Sequence, residues 1–139
     1  MATSKGSCLC GNIRYEIEGE FESFFMCHCS RCRKGSGTAH GANLFSTSAS
    51  LKWLGDSEAV KQSIKTFQLP NTMHTRSFCT ECGSLVPSLQ MEGKLLVVPA
   101  GGLDTDLSIK PNAHICMDAK ANWDTDLENV TKLDGMPTG

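Results

Sequence analysis

The sequence predicts a mainly β protein, and two observations carry the prediction. Short apolar stretches recur along the chain, and in one of them Ile13, Tyr15 and Ile17 alternate with charged residues, as in a strand with one buried face. Glycine is frequent, with 13 residues, and separates these stretches with turn signals. Many short strands joined by turns favour an all-β sandwich, a barrel or a folded-over sheet.

The predicted elements follow one another closely along the chain. The strands are predicted at residues 13–17, 21–26, 39–45, 51–54, 95–98 and 114–117. Only residues 125–132 have a helical pattern, with Asp124 or Thr125 as the cap and with Leu127 and Val130 three positions apart. The sequence therefore predicts one helix, near the end of a chain of strands.

Length and charge limit the function. The 139 residues fit a single domain, 1–139, that is large enough to bury a core. The net charge of -2 indicates no general affinity for nucleic acid or for an anionic membrane. The first residues have no apolar signal segment and no stretch is long enough to span a membrane, so we expect a cytoplasmic protein. Thiols stay reduced there, and eight cysteines then indicate metal or thiol chemistry rather than disulfides.

Four cysteines have the spacing of a closed metal site. The turn Cys79-Thr80-Glu81-Cys82-Gly83 brings two thiolates to one side of a tight loop. Cys8 and Cys10 supply two more, because residues i and i+2 of an extended chain face the same way. Four thiolates around zinc make a structural site. Such a zinc contributes on the order of 10 kcal/mol of apparent binding energy to folding. The alternative is four thiols without metal.

A second group differs in ligand number. Cys27, Cys29 and Cys32 combine CxC and CxxC in six residues, and three protein ligands with one open position are typical of a reactive zinc. Three thiolates leave this site with a net charge of -1, which suits a soft fourth ligand such as a substrate thiolate. The alternatives are a second structural zinc, closed by Cys116 or a histidine, and a redox CxxC at Cys29 and Cys32. Cys116 by itself is interpreted as a small core side chain.

Basic residues and histidines surround these cysteines. Arg31, Arg33 and Lys34 could offset the charge of the second group, lower its thiol pKa values or pair with substrate carboxylates, and a solvated face is an equal interpretation. The four histidines are candidates for a general acid or base by residue type alone: His28, His40, His74 and His114. His28 is interpreted as a strand residue that points away from the flanking cysteines.

Taken together, the motifs resemble those of the glutathione-dependent formaldehyde-activating enzyme family, which includes the centromere protein V-like proteins. The three blocks that carry the resemblance are residues 6–15, 27–34 and 76–83. Further landmarks are Gly101-Gly102-Leu103-Asp104, Pro111-Asn112-Ala113-His114-Ile115 and Trp123. The resemblance extends from Ser7 to about Pro137, and one departure is Asn122, where the family often has a proline.

The resemblance implies a β-tent fold, in which folded-over antiparallel sheets with zinc-ribbon-like knuckles are held by a structural zinc. It assigns that zinc to Cys8, Cys10, Cys79 and Cys82, and a second, catalytic zinc to Cys27, Cys29 and Cys32. It also implies a carbon–sulfur lyase of the S-(hydroxymethyl)glutathione synthase type, which joins glutathione and formaldehyde. A non-catalytic zinc-stabilised scaffold that binds a partner is the alternative, although this chain lacks the long basic tail that chromatin binding would favour.

Overall fold

A computed structural model describes residues 2–137 of the chain. In chain order its elements are β1 (Thr3–Ser7), β2 (Arg14–Glu18), β3 (Ser23–Cys27), α1 (Ser30–Ser36), β4 (Gly41–Ser46), β5 (Ser50–Trp53), α2 (Ser57–Gln62), β6 (Ile64–Gln68), β7 (Thr75–Cys79), β8 (Leu85–Val86), β9 (Ser88–Gln90), β10 (Leu95–Pro99) and β11 (Ala113–Ile115). The mainly β prediction is confirmed. Within residues 2–137, no helix is long and apolar enough to cross a membrane.

The strands form three sheets, and none of them closes into a barrel within the described range. The first sheet has the order β1-β2-β5, the second β11-β3-β4-β10-β9 and the third β6-β7-β8. Neighbouring strands are antiparallel except for β11, which runs parallel to β3 and places Ile115 opposite Cys27. This one parallel pairing brings the late part of the chain to the three-cysteine group.

The core lies where the apolar faces of the sheets meet. Tyr15 and Ile17 of β2 are almost fully buried, as are Leu44 of β4 and Val98 of β10. Tyr15 packs edge-on against Trp53, with ring centroids 5.8 Å apart. The apolar side chains of the strand predicted at residues 13–17 therefore face the core, and the residues between them face away from it.

Each of the six predicted strands overlaps an observed strand, with bounds that agree to within two residues. Five observed strands, β1 and β6 to β9, were not predicted. In β1 the residues Thr-Ser-Lys-Gly-Ser have no apolar pattern. A small residue is required there, because a Cβ on Gly6 would lie 2.4 Å from the Tyr15 ring. The glycine leaves room for the ring. The residues of β1 show no alternation of apolar and polar side chains, so the sequence gives no signal for this strand.

The helix predicted at residues 125–132 is wrong. Asp126 has a left-handed backbone, with φ 55°, and only a single 3-10 turn, Leu127–Asn129, follows it. Leu127 and Val130 are exposed, so the apolar pair has nothing to pack against. Helices in proteins depend mainly on tertiary packing, and this one lacks it.

The two short helices of the structure, α1 and α2, lie elsewhere in the chain. Hydrogen bonds to capping side chains account for where each of them begins. In α1, Cys29 accepts a bond from the backbone N–H of Cys32, and Gly37, in the left-handed region at φ 71°, donates to Arg33 O. In α2, the carboxylate of Asp56 caps the backbone N–H of Ala59. Neither helix has an apolar stripe that could reveal it, but both begin with a side-chain cap.

Candidate functional site

Four sulfurs converge where the first and third sheets meet. One ligand atom from each of Cys8, Cys10, Cys79 and Cys82 lies within 4.8 Å of all the others. The Sγ atoms of Cys8 and Cys10 are 3.6 Å apart, and those of Cys10 and Cys79 are 3.8 Å apart. A tetrahedron with Zn–S bonds of about 2.3 Å has S–S edges of about 3.8 Å. The four side chains therefore fit a zinc ion.

Cys8 and Cys10 reach this site through a turn, and the expectation of an extended chain is wrong. Gly11 donates its N–H to Cys8 O at 3.0 Å and has φ 80°. The backbone N–H of Ile13 then points at Cys8 Sγ, 3.2 Å away. A tight turn converges the two sulfurs as well as a strand would, and it adds an N–H donor that stabilises a thiolate.

Cys79 and Cys82 sit on a similar turn that follows β7. Gly83 donates to Cys79 O at 2.8 Å with φ 77°, as the CxxC spacing predicts. The Ser84 hydroxyl lies 3.2 Å from Cys82 Sγ. Hydrogen bonding by the Ser84 side chain and backbone lowers the pKa of Cys82 to about 5. The chain thus favours a thiolate here, the form in which sulfur binds metal.

The second sulfur group spans the end of β3 and the start of α1. One ligand atom from each of Cys27, Cys29 and Cys32 lies within 4.8 Å of the other two. Burial raises the pKa of Cys32. At Cys29 burial acts in the same direction, but it is outweighed by hydrogen bonds, first from the Cys32 backbone, so the Cys29 pKa is lowered. Three convergent soft donors with one stabilised thiolate fit a zinc or similar soft cation.

Cys116 lies beside this group but does not belong to the convergent set. It follows Ile115, which pairs with Cys27, and it has a left-handed backbone at φ 57°. Cys116 is exposed, so its interpretation as a core side chain is wrong. Burial and, to a smaller degree, the Cys116 thiol raise the pKa of Cys27. Cys116 is therefore a neighbour of the three-cysteine group rather than its fourth convergent sulfur.

Three of the four histidines gather next to the same group. His28 is 1% exposed and lies one residue beyond β3, not within the strand. Its Nε2 is 2.8 Å from His114 Nδ1, and the His40 ring centroid is 4.9 Å from its own. His28 Nδ1 lies 3.1 Å from Asp124 Oδ2, with an alignment poorer than that of a regular hydrogen bond. Sequence reasoning missed Asp124, which only the fold brings to His28.

These contacts favour one arrangement of the imidazole protons. The Asp124 carboxylate 3.1 Å from Nδ1 favours the His28 tautomer that has its proton on Nδ1 and leaves Nε2 as an acceptor. His114 then donates from Nδ1, and its Nε2 retains a lone pair. Burial is the largest effect on His28 and lowers its pKa, which agrees with a neutral ring. These contacts hold the ring of His28, which lies between Cys27 and Cys29 in the chain.

A cleft of about 770 Å³ runs between the two sulfur groups and is lined by Cys8 and Cys32. Arg31, His74 and Arg76 line it as well. Burial, then the charges of Arg31 and Arg76, lower the pKa of His74, and the same two arginines and His74 also line a smaller adjoining cleft.

The three predicted cations differ in position. Arg31 lines the main cleft, and Lys34 lines the smaller adjoining cleft together with Arg31 and Arg76. Arg33 lines neither cleft. Arg76, the first residue of the motif at residues 76–83, lines both clefts.

Comparisons with known proteins agree with this arrangement. A family model described as "Glutathione-dependent formaldehyde-activating enzyme" matches residues 3–119, a range that contains all eight cysteines. No curated protein gives a significant match. A crystal structure of a Rhodobacter sphaeroides protein is similar with a TM-score of 0.59 and 18% sequence identity, and the alignment covers 79% of this chain and 98% of that chain. At that identity the structural similarity concerns the fold alone.

Proposed function

This chain belongs to the glutathione-dependent formaldehyde-activating enzyme family, and from that premise we propose that it is a zinc-dependent carbon–sulfur lyase resembling S-(hydroxymethyl)glutathione synthase. The proposed reaction joins glutathione, or a similar thiol, to formaldehyde, or a similar aldehyde. One observation carries the proposal: the sulfurs of Cys27, Cys29 and Cys32 converge, and one of these residues, Cys32, lines a cleft large enough for a tripeptide-sized thiol.

The proposed reaction is the addition of a thiol to the carbonyl group of an aldehyde. The S–H bond of the thiol breaks, a C–S bond forms to the aldehyde carbon, and the carbonyl oxygen takes up a proton. Zinc, when bound by the three cysteines, would supply the Lewis acidity that favours the thiolate. His40 lines the cleft, and its Nδ1 lies 3.3 Å from Gly41 O. With Nδ1–H as the donor, its Nε2 is available to take the thiol proton and return it to the carbonyl oxygen.

We also propose that residues 1–139 form a single β-tent domain with two zinc ions. The structural zinc would be bound by Cys8, Cys10, Cys79 and Cys82, and the catalytic zinc by Cys27, Cys29 and Cys32. All eight cysteines are free, and seven of them lie in the two convergent groups. Metal binding by free thiols supports a reducing compartment, and we assign the protein to the cytoplasm on that basis.

The activity is tested by mixing the zinc-loaded protein with glutathione and formaldehyde and following the adduct against the uncatalysed reaction. Cys29→Ser removes one ligand while serine keeps the N-cap of α1, so folding should survive and acceleration should be lost. Cys116→Ser is the matched control, because Cys116 is exposed and lies outside the convergent set.

Two results would contradict the proposal. One is the absence of acceleration in a protein shown to hold two zinc ions. The other is full activity in Cys29→Ser. A single tightly held zinc per chain, with no catalysis, would instead favour the non-catalytic scaffold that binds a partner.

A further inference from the structure

We propose that Arg31 and Arg76 form a clamp that makes the cleft selective for thiols that carry a carboxylate. This inference rests on the proposed function, since it concerns the thiol substrate of that site. It assigns a recognition role to Arg76 and separates Arg31 from its neighbour Arg33 in function.

The Arg76 side chain is held in place by contacts on two sides. Arg76 belongs to β7 of the third sheet, and its guanidinium carbon lies 5.2 Å from the ring centroid of Phe78, two residues along the same face. A Cβ built on Gly35 of α1 would lie 3.8 Å from Arg76 Cδ and Nε. The side chain therefore reaches from the third sheet to the helix that carries Cys32. Stacking on Phe78 and packing on Gly35 hold the guanidinium in place before any ligand arrives.

Arg76 also lacks a protein partner. Its Nε is buried without a hydrogen-bond acceptor, as is Arg33 Nε, but of these two arginines only Arg76 lines the cleft where a ligand can reach it. Among residues 2–137 the one ion pair is His28 with Asp124, so no carboxylate pairs with Arg31 or Arg76. A desolvated guanidinium donor without an acceptor is costly, and an incoming carboxylate would satisfy it.

The charges along the cleft are mostly positive near the second sulfur group. Arg31 and Arg76 line the main cleft together with Cys32, and the same two arginines line the smaller adjoining cleft, so the two cations lie on one side of the cleft near Cys32. Asp104 is the one acidic residue among the described residues that line the cleft, and the Ser7 hydroxyl donates to it at 2.7 Å.

The chemistry of the two cations indicates the ligand. Guanidinium groups bind carboxylates through paired, charge-assisted hydrogen bonds. A thiol with a carboxylate can place its sulfur at the cysteines and its acid group at the clamp, whereas a neutral thiol gains only the first contact. Glutathione carries two carboxylates and fits this class. Charge-assisted bonds of this kind correspond to about 10- to 100-fold in affinity.

The test measures binding without chemistry. Isothermal titration calorimetry of the zinc-loaded protein would use S-methylglutathione, which keeps both carboxylates but has no thiol, and its diester, which has neither acid group. We expect Arg76→Gln and Arg31→Gln each to weaken S-methylglutathione binding about 10- to 100-fold. The wild type should bind the diester as weakly as these variants bind the acid. Arg14→Gln, at an exposed position on β2, and Arg33→Gln, at a half-buried position on α1, lie outside both clefts and should leave binding unchanged.

Several outcomes would overturn the clamp: no binding of S-methylglutathione to the wild type, equal binding of the diester, or an equal loss in Arg33→Gln, which would indicate general positive charge. Arg31 is exposed, so Arg31→Gln remains informative if Arg76→Gln fails to fold. Failure of the proposed reaction is distinguishable, because absent catalysis with carboxylate-dependent binding intact would reject the lyase and keep the clamp.

Discussion

Replacing Cys10 by serine tests whether the four-cysteine site holds the domain together. Cys10 is exposed, so the change removes a ligand without placing a hydroxyl in the core. Its sulfur lies 3.8 Å from that of Cys79, 69 residues away in the chain. A cross-link that closes a loop of about 70 residues removes about 4 kcal/mol of conformational entropy from the unfolded chain, treating the metal as a bridge.

That magnitude converts into a measurable shift. For a domain of this size 1 kcal/mol corresponds to roughly 4 °C in Tm, so loss of the loop closure alone should lower Tm by at least roughly 15 °C. Differential scanning calorimetry would give Tm, and elemental analysis would give zinc per chain. Cys29→Ser is the comparison, because its group closes a loop of about six residues and the same relation gives only about 2 kcal/mol.

The bridging role of the four-cysteine site would be refuted if Cys10→Ser lost its zinc and still melted within about 2 °C of the wild type. It would also be refuted if Cys29→Ser, with its zinc lost, were the less stable of the two variants. Either result would mean that the first site does not bridge the first and third sheets, or that the sheets hold together without it.

Two further predictions concern the packing around these sites. Gly6→Ala should lower the free energy of unfolding by about 1–3 kcal/mol, because the new Cβ would lie 2.4 Å from the buried Tyr15 ring, whereas Gly101→Ala, with open space around it, should be neutral in the same urea titration. Asp124→Ala should cost about 1–2 kcal/mol by removing the acceptor near His28 Nδ1, and Asp124→Asn, which keeps an acceptor oxygen, should recover most of it. Equal urea midpoints within either pair would contradict these accounts.

The two convergent cysteine groups were predictable because metal binding imposes its own short spacing. A CxxC turn closes with glycine in the left-handed region, as Gly83 does, and a CxC segment converges its two sulfurs in a strand or in a turn. For that reason the grouping of Cys8 with Cys10 was correct, although the extended backbone expected for this segment was wrong. The strands at residues 13–17 and 95–98 were predictable for a similar reason, because each carries its burial pattern in its own residues.

Other features depend on partners that are distant in the chain. The first turn of α1 is capped by a cysteine, and the segment at residues 125–132 lacks a surface on which its apolar side chains could pack. Local patterns describe what a segment could bury, but not whether the fold provides a place to bury it.

The sequence by itself determined the class of the fold and which seven cysteines form two groups, because strand alternation and metal-ligand spacing are local properties of a chain. Only the tertiary structure decided what surrounds those groups. It brought Asp124 to His28 and carried Arg76 from the third sheet to the helix of Cys32. These contacts join residues that are far apart in the sequence. They depend on how the three sheets, each with a fixed strand register, pack against one another.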